Sequence, residues 1–332
     1  MAEHRRPTSH DVARLAGVSR SAVSRCFTPG ASIADDTKAK ILAAAGQLGY
    51  RTNALARNLK SRQSQLVAIL ASRLDTPFRA RQVKHLARAL IDDGFRPLLL
   101  TADQPEDLGP LLSSMLDYNL AGMIVTSDTP PAAVIDECQR LRVPVVLINR
   151  NPHPDGGDRI QLDTGAAAAI VFDMLYAAGA RRFAVLSPDD RTYTVKGRVD
   201  GFRDLAFGRN LPCAVLPCDG QSYAAGRSAM TRHAAALGQC DGLFAANDLL
   251  ACGALDGLRQ DLGRSVPGDM ALVGFDDIEQ AGWAAYDLST VRQDARTQAT
   301  MAVELMRNRL QNPDAPALLK HPPLDPVPRG TT

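Results

Sequence analysis

Between residues 66 and 275 the chain sets out eight short, β-rich apolar runs in series, with helical stretches between most of them. The runs are LVAIL (66–70), RPLLLT (96–101), GMIVT (122–126), VPVVLI (143–148), RRFAVLS (181–187), CAVLPC (213–218), GLFAA (242–246) and MALVGF (270–275). Apolar runs without a polar alternation suit strands covered on both faces, and strands joined through helices run parallel with those helices laid over the sheet. Eight strands of this kind can make one wide sheet or two smaller ones. The irregular piece NRNPHPDGGDRIQLD, residues 149–163, divides the first four from the last four and argues for two lobes. Ligands of such sheets bind beyond the carboxyl ends of the strands, which here is the cleft between lobes.

The first sixty residues read differently. Residues 1–62 hold eleven Lys/Arg against four Asp/Glu, a net of +7, while the remainder holds 27 against 32, a net of −5. A small basic head on a mildly acidic body points to a polyanionic partner for the head alone. Thr8 followed by Asp11 forms a capping-box-like start to DVARLA, with Val12 and Leu15 on its apolar side; Gly17 ends that helix and Ser19 is placed to cap the next. That spacing is helix-turn-helix. A third helix, about 35–48, puts Ile41, Leu42, Ala45 and Leu48 on one stripe and stops at Gly49. In the second helix Arg20, Ser21, Ser24 and Arg25 share one face, and Val23 and Phe27 another. Small side chains at Ser21, Ala22 and Ser24 let the backbone approach base edges, so Arg20 and Arg25 reach guanine or phosphate. A solvated basic face is the plainer reading of SRSAVSR taken alone, and the charge and turn around it favour DNA.

RTNALARNLKSRQS, after Tyr50, is basic and alanine-rich, with Leu55 and Leu59 as its large apolar residues. It reads either as a flexible linker or as a hinge helix that folds on DNA, with Arg57 among the DNA-binding residues and Leu59 as a minor-groove wedge.

Composition narrows the class further. With 332 residues, 45% hydrophobic and 22% charged, the chain has room for two or three domains, and no apolar run reaches the ~18 residues of a membrane span. No apolar core follows the basic N-terminus, so a cytoplasmic protein is expected. Six scattered cysteines without a Cys-x-x-Cys pair read as reduced thiols, and six dispersed histidines give no metal set. No metal or cofactor is expected.

TSHDVARLAGVSRSAVSRCF followed by KILAAAGQLGYRTNALARNLKS resembles the head and hinge of the lactose repressor and galactose repressor family of bacterial transcription regulators. The resemblance continues in the body through GRVDGF, ANDLLACGAL, VPGDMALVGFDD and STVRQD. It implies a small all-α helix-turn-helix head with a hinge helix, and an α/β two-lobed body like a type I periplasmic binding protein, with parallel doubly wound sheets. The expected division is 1–50 for the head, 51–63 for the hinge and 64–332 for the body. Lobe one takes about 64–160 and 292–320, and lobe two about 161–291 and 321–332. The resemblance places Arg20, Ser21 and Arg25 on base-reading positions, Ser19 and Asn53 on phosphate contacts, and Leu59 on an intercalating one. Thr52 stands where proline is common, and FTPGASIADD is irregular where a tighter turn is usual.

Candidate effector residues sit at strand ends. Asn149 and Arg150 follow the fourth run, Asn247 the seventh and Asp276 the eighth; Gln293 lies in STVRQD and Arg198 in KGRVDGF. Each Asp or Asn reads alone as a helix cap, and their convergence suits a polyol. The resemblance puts Arg198, Asn247, Asp276 and Gln293 on positions that hold sugar hydroxyls and Asn149 on another cleft position. The loop ASRLDTPFRARQ adds Ser72, Arg73 and Phe78, with Arg79 and Arg81 behind. If Arg73 enters beside Arg198, a sugar acid or phosphorylated sugar fits.

The expectation is a sequence-specific DNA-binding repressor, not an enzyme. Its partners would be a near-palindromic operator, a carbohydrate or sugar-acid effector and a second copy of itself, with dimer contacts from FRARQVKHLARALIDD. No leucine heptads follow the body, so a dimer rather than a tetramer is expected. A stand-alone sugar-binding protein and an α/β enzyme are the alternatives; the basic head opposes the first and the lack of a nucleophile elbow or phosphate loop the second.

Overall fold

A computed structural model describes residues 7–28, 30–51, 64–101, 119–126, 132–150, 157–189 and 192–332. The chain separates into two compact units, Met1–Ser64 and Gln65–Thr332.

The first unit contains α1 (Ser9–Ala16), α2 (Arg20–Cys26) and α3 (Asp35–Leu48). Local chemistry sets their ends. The Thr8 amide donates to Asp11 Oδ2 over 2.9 Å and the Asp11 amide to Thr8 Oγ1 over 3.4 Å, closing the capping box. Gly17 closes α1 at φ 67°, a left-handed value that costs a side-chain-bearing residue more, and Ser19 Oγ accepts from the Ala22 amide to open α2. Val12, Ala13, Val23, Ile41, Ala44 and Ala45 form the core, and Phe27 meets Tyr50 edge-on at 5.8 Å. Two expectations are corrected here. Leu15 is 50% exposed and Leu42 47%. Ala16, one residue on from Leu15, turns toward the core instead, and Ala44, three residues on from the buried Ile41, takes the place assigned to Leu42.

The second unit is built on two parallel sheets. The larger contains β1 (Leu66–Ala71), β2 (Arg96–Thr101), β3 (Gly122–Val125), β4 (Val145–Ile148), β5 (Asp158–Ile160) and β11 (Leu319–Lys320), in the order β11-β5-β4-β3-β1-β2. Helices α4 (Pro77–Asp92) and α5 (Ala132–Arg140) follow β1 and β3. The smaller sheet orders β7 (Cys213–Cys218), β6 (Phe183–Pro188), β8 (Gly242–Ala245) and β9 (Ala271–Val273). Between and around its strands run α6 (Thr164–Ala177), α7 (Tyr193–Gly208), α8 (Tyr223–Arg232), α9 (Ala234–Leu237) and α10 (Asp248–Asp256). An antiparallel pair, β10 (Thr290–Gln293) with β12 (Leu324–Val327), and the long α11 (Ala295–Gln311) complete the body. All eight expected runs are strands, but β2 and β7 are edges with partly exposed faces, Leu99 and Val215 turning to solvent. The short β5 and β11 carry too few residues to have shown as apolar runs.

Each sheet has its own core. Phe172, Phe183, Phe202 and Phe244 interlock in the second lobe at centroid distances of 5.1–5.9 Å, while α4 and α11 cover one face of the larger sheet with Val83, Leu86, Leu90, Ala302 and Met306. The chain passes between the sheets three times: from β5 into α6, from β10 into α11, and from β11 into β12.

Candidate DNA-reading face and ligand cleft

On α2, Arg20, Ser21, Ser24 and Arg25 are all exposed, as is the cap Ser19, whereas Val23 is buried. Ser19 and Ser21 share a 2.8 Å hydroxyl–hydroxyl bond. Neither arginine forms an ion pair among the described residues, so both keep their charge for an outside partner. Asn53, Arg57 and Leu59 lie outside the described residues.

Among the described residues, four of the eight non-glycine residues with positive φ follow the carboxyl ends of strands of the body. Arg73 after β1, Asn149 after β4, and Asp276 and Asp277 after β9 have φ of 54°, 54°, 114° and 51°. Left-handed conformations in such residues cost energy and collect at working sites.

The central group is Arg198, 3% exposed on α7. Its Nε and Nη2 both donate to the carbonyl of Ala246, at 3.0 and 2.6 Å, and its guanidinium lies 4.3 Å from the Phe275 ring centroid. Burial lowers its pKa, opposed by the carboxylates of Asp276 and Asp248. Asp276 is buried opposite; burial raises its pKa, while the Arg198 charge, a bond from Gln293 Nε2 to Oδ1 at 2.5 Å, and the charges of Arg81 and Arg79 pull it down. Arg198 Nη1 and Asp276 Oδ2 form no hydrogen bond among the described residues. One open donor therefore lies in the field of one open acceptor.

Asp277 turns the other way. Burial would raise its pKa, but Arg329 at 2.6 Å and Arg292 at 2.7 Å hold its carboxyl below the usual carboxylate range. Beneath both aspartates, the fully buried Asp248 accepts from Thr290 Oγ1 at 2.6 Å and the Ile278 amide at 2.9 Å. Desolvation and then the charge of Asp276 push its pKa well up. Gly274 makes this possible, since a Cβ there would stand 2.3 Å from Asp248 Oδ1.

The first lobe reaches into this cluster through α4. Arg81 donates to the backbone oxygens of Asp277 and Asp276 at 2.8 and 2.9 Å, and Phe78, one turn earlier, packs into the apolar core of the second lobe. Arg79 donates to Gln82 Oε1 and to the Thr126 carbonyl. The arginines of that loop whose charges act on Asp276 are thus Arg81 and Arg79. Ser72 is buried and Arg73 half-buried at the end of β1, and Arg150 is half-buried at the end of β4, on the same edge of the larger sheet.

The structure brings Arg198, Asp276 and Gln293 together. Two other candidates serve local structure. Asn247 caps α10, its Oδ1 accepting from the Leu250 amide at 2.8 Å and its Nδ2 donating to the Gln221 carbonyl at 3.1 Å. Asn149 Oδ1 accepts from the Leu162 amide at 2.8 Å and ties β4 to the first crossing. Sequence reasoning missed Gln82 and Gln298, both fully buried. Their signal was a glutamine on an apolar helical stripe: Gln82 stands four residues from both Phe78 and Leu86.

Residues 8–53 match the lacI family of bacterial regulatory proteins, and residues 172–332 match a periplasmic binding protein-like domain. The HTH-type transcriptional regulator CelR of Thermobifida fusca is 30% identical over 323 residues, covering 93% of this chain and 94% of that one. The ribose operon repressor of Escherichia coli K12 is 27% identical over 311 residues, covering 92% and 94%. The chain belongs to the lacI family of bacterial regulatory proteins. In fold it matches the lac repressor dimer bound to operator and an anti-inducer, with a TM-score of 0.87 at 23% identity over 98% of this chain and 99% of that one. It is a DNA-binding transcriptional regulator with a helix-turn-helix head and a periplasmic-binding-protein-like body.

Proposed function

We propose that this regulator represses transcription as a homodimer on a near-palindromic operator, and that a sugar or sugar acid bound between the lobes sets its operator affinity. The observation that carries the effector reading is the pair of open groups, Arg198 Nη1 and Asp276 Oδ2, at a junction that Arg81 and Phe78 bridge from the first lobe. A donor beside an acceptor suits neighbouring hydroxyls of a polyol. The ribose operon repressors and a regulator solved with cellobiose among the relatives support a carbohydrate.

Ser19, Arg20, Ser21, Ser24 and Arg25 form the reading face, and in this reading Asn53, Arg57 and Leu59 also contact DNA, Asn53 at a phosphate and Leu59 as a minor-groove wedge. To Arg198, Asp276 and Gln293 the reading adds Ser72, Arg73 and Arg150 at the strand ends as candidate contacts, with Asn149, Asn247 and Phe78 shaping the cleft through their local bonds and packing. The protein holds its effector without transforming it and works in the cytoplasm. Coupling is reciprocal: an effector that weakens operator binding is itself bound less tightly on DNA.

The test is selection of duplexes from a random library by the full-length protein, then anisotropy on the enriched sequence with and without D-ribose, cellobiose and D-gluconate. An enriched palindrome whose affinity changes with one compound supports the reading. No enrichment over random competitor at low salt overturns it.

A further inference from the structure

A chain of side-chain hydrogen bonds crosses the first lobe and ends on the cleft carboxylate. Arg79 Nη1 donates to Gln82 Oε1 over 2.8 Å, and Gln82 Nε2 to Gln298 Oε1 over 2.5 Å. Gln298 Nε2 then donates to Gln293 Oε1 over 3.1 Å, and Gln293 Nε2 to Asp276 Oδ1 over 2.5 Å. The links pass from α4 to α11, then to β10, then to the strained turn after β9.

The ends fix the direction. A guanidinium only donates and a carboxylate only accepts, so every amide between them has one orientation that satisfies both neighbours. Turning any one sets oxygen against oxygen on one side and nitrogen against nitrogen on the other, and all three glutamines are buried. Donors aligned head to tail in a low dielectric strengthen one another. Stability alone does not call for this arrangement. Gln82 and Gln298 sit among Val83, Leu86, Ala299 and Ala302, where an aliphatic pair of similar volume would pack without any amide to desolvate.

We propose that Gln82 and Gln298 are positioning residues of the effector cleft. Their relay pins Oδ1 of Asp276, leaves Oδ2 to the ligand, and carries the state of Asp276 to α4, the helix that also sends Arg81 and Phe78 into the second lobe. This rests on the cleft being the effector site, so the decisive measurements need no effector.

Full-length protein labelled with 15N-glutamine gives side-chain amide resonances, assigned from Gln82→Leu and Gln298→Leu. Asp276→Ala removes the accepting end. The expected result is an upfield shift not only of Gln293 but of Gln298 and Gln82, two and three links away. Movement of Gln293 alone overturns the relay. A second measurement follows the Asp276 carboxyl by 13C: its titration midpoint moves up in Gln298→Leu, because a released Gln293 no longer holds the charged form, and Gln82→Leu serves if that variant does not fold. An unchanged midpoint overturns the proposal. Calorimetry with D-ribose adds the functional arm, with about tenfold weaker binding expected in Gln298→Leu. If D-ribose binds neither protein, the sugar reading loses that compound while the two spectroscopic results still decide the relay.

Discussion

The arginines of α2 and those of the cleft differ in how the protein holds them, and the difference tells which partner each can serve. Arg20 and Arg25 are exposed, the first between Ser19 and Ser21 and the second between Ser24 and Cys26, and are paired to no carboxylate among the described residues. Arg198 is almost wholly buried, and both it and Arg81 are fixed by backbone carbonyls. A mobile cation in water suits a polyanion, where binding is driven largely by release of counterions. A guanidinium already desolvated and aimed has little left to lose on meeting a small polar molecule, so it discriminates by geometry.

Salt breaks the comparison most sharply. Raising salt from about 50 to 200 mM should weaken operator binding by roughly 1,000-fold, if several phosphates are neutralised, and effector binding by no more than about threefold. Equal slopes for the two ligands, measured by anisotropy and calorimetry, would mean that the cleft is not screened from solvent. Next in size, Arg198→Ala should weaken effector binding by about 100-fold through loss of charge-assisted bonds, and leave the affinity of the effector-free protein for random DNA unchanged. Arg25→Ala should cost about 1–3 kcal/mol on the selected operator and relax base preference at one position. The same loss on random duplex would reassign Arg25 to phosphate.

The smallest expected effect concerns Asp248. Burial and the neighbouring Asp276 raise its folded pKa above the ordinary 3.8, so its stabilising contribution is complete below that value and fades as pH rises through the folded pKa. Asp248→Asn cannot ionise, and its amide can still accept from Ile278 and donate to Thr290. Thermal melts from about pH 4 to pH 8 should therefore show a flatter profile in the variant. Two parallel profiles would place the pH dependence elsewhere.

What the sequence disclosed, and what it hid, follows the range of the interactions. The Thr8–Asp11 box, Gly17 and Ser19 act within four residues, and the helix-turn-helix could be read directly from them. Strand ends were legible because apolar runs stop where polar residues begin. Arg81 was opaque, since its partners lie 195 and 196 positions away and a surface-like arginine gives no hint of them. Asn247 shows the opposite limit: a residue at a strand end is claimed first by the nearest helix, here as the cap of α10. Gln82 and Gln298 look like breaks in an apolar stripe, and only the packing of α4 against α11 turns two breaks into one buried bond.

Phe78 carries a consequence for the resting protein. Its ring, grown from a helix of one lobe, is seated in the apolar interior of the other. Prising the lobes apart would wet that ring at a penalty of about 1.5–3 kcal/mol, which alone tilts the open-to-shut ratio by roughly one to two orders of magnitude. A single phenyl would thus preset how many molecules stand shut before any metabolite arrives, and trimming it to alanine would reset that starting census, at the loss of the Arg81 guanidinium's contact 5.8 Å from the ring centroid.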